Sequence, residues 1–211
     1  MDTAWVTGGS EGVGRGVVEG LAEADMRVYF TGRNAQRLAR TAMEAGRLGG
    51  EVVARQVDHR HDDQVVALFD EIKRAGSIDL LVNNVWGGYE NMVEDGRFTW
   101  PDPYWEQPAW RWDAMMNVGV RAAFVASQLA TRAMLGGRGG LIVNISFWSA
   151  QKHIANALYG MAKAATDKLT ADMAAELQSH NINVISVYPG LVRTEKVMAN
   201  AQFLDLTNSE S

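Results

Sequence analysis

Six short apolar runs recur along this chain, at residues 4–6, 27–31, 51–57, 79–83, 140–146 and 182–188, with longer segments of helical period between them at about 13–24, 34–47, 62–75, 109–134 and 157–180. No other feature constrains the fold as much, because a strand joined to the next through a helix-length crossover pairs with it in parallel. The residues agree with this. Leu80, Leu81 and Val82, like Leu141, Ile142 and Val143, are apolar on both parities, the pattern of strands covered by helices on both faces. The expected fold is α/β, a doubly wound parallel sheet of about six strands in a single domain spanning residues 1–211. One connection is longer than compact domains usually carry. Residues 86–108 hold three of the four prolines together with Trp86, Tyr89, Phe98, Trp100, Tyr104 and Trp105, and read either as a flap burying its own aromatics or as a wall of an apolar pocket.

Charge and composition narrow the partners. Lys and Arg number 20 against 25 Asp and Glu, a net charge of −5, so no basic surplus points to nucleic acid or anionic lipid. A small polar ligand is the expected partner. The absence of cysteine removes disulfides, thiolate catalysis and cysteine zinc sites. No apolar stretch approaches the roughly 20 residues a membrane span needs, nothing before Thr7 reads as a leader, and a cytoplasmic location is expected.

Residues 7–14 read Thr-Gly-Gly-Ser-Glu-Gly-Val-Gly, between the first strand and the first helix. A strand, a glycine turn and a helix start aim free N–H groups and the positive helix end at a phosphate. Glycine allows positive φ there and lets backbone approach a pyrophosphate without a Cβ between. The spacing Gly8-x-x-x-Gly12-x-Gly14 departs from the usual dinucleotide fingerprint, so by itself the loop is equally a structural turn. The second strand ends at Arg33 where an NAD site would carry a carboxylate; an arginine suits a 2′-phosphate. That favours NADP(H), unless Arg33 is a plain surface residue. Glu11, inside the loop, should repel a second phosphate that comes close.

Further on, Ser146 closes the fifth strand, and Tyr159 and Lys163 stand four apart on a helix, hence on one face. A nearby ammonium favours the phenolate and so lowers the tyrosine pKa. Such a phenol can donate and recover a proton near neutral pH, while a serine hydroxyl holds a carbonyl oxygen as it gains charge. Alone, such a pair is common by chance and usually means a solvated helix face.

These motifs, in this order, resemble the short-chain dehydrogenase/reductase family over about residues 4–194. Gly8, Ser10, Gly12, Val13 and Gly14 match the cofactor loop, Asp58 the aspartate that contacts adenine, and Asn84 the paired-asparagine element begun by Asn83. Asn117 matches the helical asparagine of the catalytic tetrad, and Pro189, Gly190 and Thr194 the stretch over the nicotinamide. The resemblance implies a Rossmann sheet in the order 3-2-1-4-5-6 and hydride transfer between NADP(H) and a carbonyl or secondary-alcohol substrate. It implies Asn117, Ser146, Tyr159 and Lys163 as catalytic residues, with Lys163 and Tyr159 also holding the nicotinamide ribose. It further implies a homo-oligomer through helices 109–134 and 157–180. Within the family the chain looks most similar to the dehydrogenase/reductase member 1 subgroup, whose implied substrates are carbonyl compounds including steroid-like and xenobiotic ketones. A sensor or scaffold of the same fold, without turnover, is the alternative.

Two departures stand out. The family's Ala-Gly after the paired asparagines is Val85-Trp86, with glycines displaced to Gly87 and Gly88, so Trp86 is expected to narrow or floor the site. The sequence stops at Ser211, before the family's last strand and helix; a C-terminally incomplete chain with an uncovered sixth strand is expected, and such a fragment could be inactive. His59 and His61 lack a third ligand at useful spacing and read as a surface turn, with no metal expected. His153 reads as facing either substrate or solvent.

Overall fold

The computed structural model describes residues 1–207 and 209–210. Six parallel strands, β1 (Thr3–Thr7), β2 (Arg27–Gly32), β3 (Val52–Gln56), β4 (Leu80–Asn83), β5 (Gly140–Ile145) and β6 (Ile182–Val187), form one sheet in the order β3-β2-β1-β4-β5-β6. Residues alternate between its faces, and each face has its own core. Trp5, Tyr29, Leu81 and Ile142 point to one side, where they meet α3 (Asp62–Ala75), α4 (Ala109–Leu135) and α5 (Ala157–Leu177). Val6, Val28, Phe30 and Val82 point to the other, against α1 (Gly12–Glu23) and α2 (Ala35–Ala45). Both parities are apolar for that reason.

Helix α4 is not uniform. It begins as Ala109–Trp112, winds as a π-helix through Asp113–Arg121, and returns to α form over Ala122–Leu135. Among residues 86–108 the two-residue strands Val93–Glu94 and Arg97–Phe98 make a small hairpin. Its base is anchored by the buried Arg111, which donates to Thr99 O at 3.1 Å and Thr99 Oγ1 at 2.8 Å and lies 4.9 Å from the Trp110 ring. The loop forms a wall of the pocket, through Trp86, Tyr89, Met92 and Trp100, and buries only part of its own aromatics. Trp100 and Met92 are buried with Tyr159 and Met115 in a third apolar cluster, whereas Tyr104 and Trp105 lie 68% and 71% exposed.

Beyond β6, a short helix α6 (Glu195–Ala199) is capped by Thr194, whose hydroxyl accepts from the Val197 N–H. Among the described residues β6 pairs with β5 alone, and Ile185 and Val187 are exposed on it. The sheet reverses direction of winding between β1 and β4, and ligands of doubly wound sheets bind in the crevice at that switch.

Candidate active site

The crevice is floored by the glycine turn. Gly8 has φ +69° and Gly12 φ +56°, values L side chains adopt rarely. The turn is fastened on two sides. Gly8 N–H donates to Thr31 Oγ1 on β2 at 3.1 Å, and Asn84 Nδ2 beyond β4 donates to Gly8 O at 2.8 Å. A Cβ at Gly14 would stand 2.2 Å from Gly8 O, and one at Gly8 2.9 Å from Val85 Cα. These two glycines are therefore demanded by close packing of the turn itself, a second reason beside ligand approach.

At the mouth of α1 the Gly12 N–H donates to Glu195 Oε2 at 2.9 Å, and Arg15 Nη1 lies 3.1 Å from Glu195 Oε1. Burial pushes the Glu195 carboxyl up, but backbone N–H donors, Arg15 and Arg37 outweigh it and hold it below its ordinary value. The glycine loop and helix end thus already hold an anion, one supplied by the chain. This carboxylate occupies donors of the kind a phosphate takes, a free N–H at a helix start with a cation beside it.

On the β2–β3 side, Arg33 pairs with Glu90, and Asp58 pairs with Arg60. The Arg60 side chain is the largest influence on Asp58 and holds its carboxyl down at about 2. Glu11, expected to repel a phosphate, is matched by two cations instead: it pairs with Arg37 and lies 3.3 Å from Lys196 Nζ. Nothing in the spacing of Glu11, Arg37 and Lys196 announces this trio. His59 also departs from expectation. It is 3% exposed rather than a surface residue, with Nε2 2.8 Å from the same Thr31 hydroxyl that receives the Gly8 N–H. Burial drops its pKa to about 4.

At the other end, β5 delivers Ser146 and α5 delivers Tyr159 and Lys163. The N-cap Asn156 fixes the start of α5 by accepting from the Tyr159 N–H at 2.9 Å. The Tyr159 hydroxyl lies 3.0 Å from that of Tyr89, a residue of the long loop. Lys163 Nζ donates to Ile145 O at 3.0 Å and sits 4.2 Å from the Trp86 ring centroid, a cation–π contact with Trp86 as the expected floor. Burial lowers the Lys163 pKa to about 8, with Asp167 opposing. The expected lowering of the Tyr159 pKa is not found: burial first, then Tyr89, raise it well above its ordinary value. Lys163 Nζ is 5.9 Å from the Tyr159 ring centroid and is bonded elsewhere. Ser146 Oγ donates to Lys163 O at 3.4 Å.

Asn117 is not brought to this cluster. Within the π-wound stretch the buried positions are Met115 and Gly119, and Asn117, midway between them, is exposed and donates to Asp113 Oδ1 at 3.0 Å. The inner position belongs to Gly119, where a Cβ would stand 2.6 Å from the Trp86 ring. Gly88, whose Cβ would stand 2.7 Å from the same ring, completes the slot. The displaced glycines and Trp86 are one packing solution. His153 is exposed.

A single cleft of about 500 Å³ runs from one end to the other. Gly8, Ser10, Gly12, Val13, Arg33, Asp58, Asn84, Ser146, Tyr159, Lys163, Pro189, Gly190 and Thr194 all line it, with Gly14 packed beneath the turn and Asn117 outside. Among the described residues no cluster of His, Asp and Glu could hold a metal, and no helix is long and apolar enough to cross a membrane.

The sequence profile of the family described as short chain dehydrogenase matches residues 2–204. Over 194 residues the chain is 40% identical to Dehydrogenase/reductase SDR family member 1 of Mus musculus, covering 91% of this chain and 61% of that protein. It spans about three fifths of the length of that relative. The fold is similar to a short-chain type dehydrogenase/reductase from Mycobacterium marinum, with TM-score 0.84, 30% identity and coverage of 96% of this chain and 77% of the other. It is also similar to a metagenomic short-chain oxidoreductase in complex with NADP, with TM-score 0.77, 28% identity and coverage of 90% and 82%.

Proposed function

Since the chain belongs to the short-chain dehydrogenase/reductase family, we propose that it is an NADP(H)-preferring oxidoreductase, interconverting a carbonyl compound and a secondary alcohol within one domain. One observation carries this reading. The anion-holding glycine turn and the Tyr159, Lys163 and Ser146 side chains line the same cleft, so a ligand that fills it has its phosphates at one end and its reactive ring at the other.

When bound, the nicotinamide supplies or accepts the hydride. The chain's own residues do the rest. The N–H of Gly12 and the α1 terminus hold the pyrophosphate, Arg33 meets the 2′-phosphate, and Lys163 anchors the nicotinamide ribose. Ser146 holds the carbonyl oxygen, and Tyr159 gives it a proton. A phenol kept protonated by its surroundings is the form that gives a proton in reduction, and it must lose that proton before it can accept one in oxidation. Met92, Trp100, Phe147 and Ile154 around Tyr159 suit a substrate with apolar bulk beside its carbonyl. Trp112 and Phe124 on α4 and Met161 on α5, all exposed, support pairing of two copies through those helices.

The test is ketone-dependent NADPH oxidation by the wild type and by Tyr159→Phe. Loss of the proton donor should lower kcat by about 10² or more, with NADPH binding kept. Turnover undiminished in the variant refutes the assignment of Tyr159. NADPH binding without turnover over a ketone panel in the wild type would instead favour the sensor reading.

A further inference from the structure

Tyr89 and Glu90 are consecutive, yet they reach opposite ends of the cleft. The Tyr89 hydroxyl bonds that of Tyr159, at the catalytic end, and the Glu90 carboxylate pairs with Arg33, at the end of β2. The loop after β4 is therefore a strap across the cleft, pinned at both ends by polar contacts.

At the Arg33 end the charges are balanced. Arg33 and Arg60 supply two positive charges, Glu90 and Asp58 two negative ones. The Asp58–Arg60 pair is closed on itself through three contacts: Nε to each carboxylate oxygen, and Nη2 to Oδ2. Of these two cations that leaves Arg33 for a 2′-phosphate, with Glu90 already on it, while Arg37 in the same cleft is paired with Glu11. We propose that Glu90 is a cofactor-specificity residue: an internal competitor for Arg33 that weakens NADP(H) selectively, leaving NAD(H) unaffected. The inference rests on the dinucleotide reading of the cleft.

The physics supports displacement. The Arg33 and Glu90 side chains are 47% and 39% exposed, and an exposed ion pair is weak. A phosphate carries more charge than a carboxylate and can take the guanidinium in a bidentate fashion. It wins Arg33, but only after Glu90 yields, and the released carboxylate remains beside it. NAD(H) has no group for Arg33 and meets no such cost. Because Tyr89 precedes Glu90 directly, release of Glu90 also frees one anchor of the residue that bonds Tyr159.

The experiment is calorimetric titration of wild type and Glu90→Gln with NADPH, NADH, 2′,5′-ADP and 5′-AMP at low salt. The glutamine keeps the shape and removes the charge at an exposed position. NADPH and 2′,5′-ADP should bind about fivefold more tightly to the variant, with NADH and 5′-AMP within twofold of the wild type. An unchanged NADPH-to-NADH ratio, or an equal gain for both cofactors, overturns the inference while the dinucleotide reading stands. Binding of neither cofactor by either protein overturns both.

Discussion

Acid should destabilise this protein through one histidine before its carboxylates titrate. His59 is 3% exposed, its Nδ1 has no hydrogen-bond partner among the described residues, and burial lowers its pKa to about 4 from an ordinary 6.5. Between those values the unfolded chain carries a proton there and the folded chain does not, so stability rises with pH across the window and is lost as pH falls from 6.5 to 4. Lowering the pH by one within that window costs about 1.4 kcal/mol, and crossing all of it about 3 kcal/mol, a large share of a domain's stability. Asp58 and Glu195 have folded pKa values below their ordinary ones; their contribution is lost only as pH falls through the carboxylate range, lower down. The assay is urea denaturation from about pH 7 to about pH 4 for wild type and His59→Gln. Glutamine can still reach the Thr31 hydroxyl but has no proton to gain. The variant's stability should be flatter by about 3 kcal/mol over the window. Parallel curves for the two proteins would refute the buried neutral imidazole. Because Thr31 also receives the Gly8 N–H, the charge that forms on His59 in acid appears directly behind the glycine turn.

Glu195→Gln removes the carboxylate from the Gly12 N–H and from Arg15, and should tighten NADPH and NADH alike by about tenfold in a titration. A gain for NADPH alone would locate Glu195 elsewhere than at the shared pyrophosphate. Asn117→Ala should keep kcat within about twofold in the NADPH oxidation assay, since the side chain is exposed and bonded to Asp113; a loss of the size expected for Tyr159→Phe would restore Asn117 to the machinery.

Legibility followed periodicity. The six strands were readable because both faces of the sheet are covered and each run is apolar on both parities, as Trp5 and Val6 show by joining different cores. Tyr159 and Lys163 were readable because a helix of known pitch fixes which side chains share a face. Asn117 was read from its neighbours in sequence and not from pitch: Met115 and Gly119, four apart, share the inward face, and Asn117 midway between them is exposed. Residues in loops and at helix ends fail for another reason: no period fixes their partners. Tyr89 meets Tyr159 across 70 positions, and Glu195 meets Gly12 across 183. The partner of each is chosen by packing of the whole chain.

That packing gives the cleft an electrostatic character that a count of its cations would miss. Arg33 is matched by Glu90, Arg15 by Glu195, and Arg37 and Lys196 by Glu11. Unmatched, four cations in and beside one cleft would repel one another and the helix end that faces them. Matched, they stay in place, but each phosphate that enters must replace a carboxylate where it would otherwise have displaced only water and counterions. Association is then an exchange of anions. Its free energy is the difference between two similar interactions, not the sum of new ones, and this difference is small enough for one glutamate to tilt. On the proposed dinucleotide reading the two carboxylates differ in reach: Glu195, on the Gly12 N–H, would meet the pyrophosphate common to both dinucleotides, whereas Glu90, on Arg33, would meet the 2′-phosphate that only one of them carries. A chain that works this way would set its overall affinity at one residue and its choice of cofactor at another.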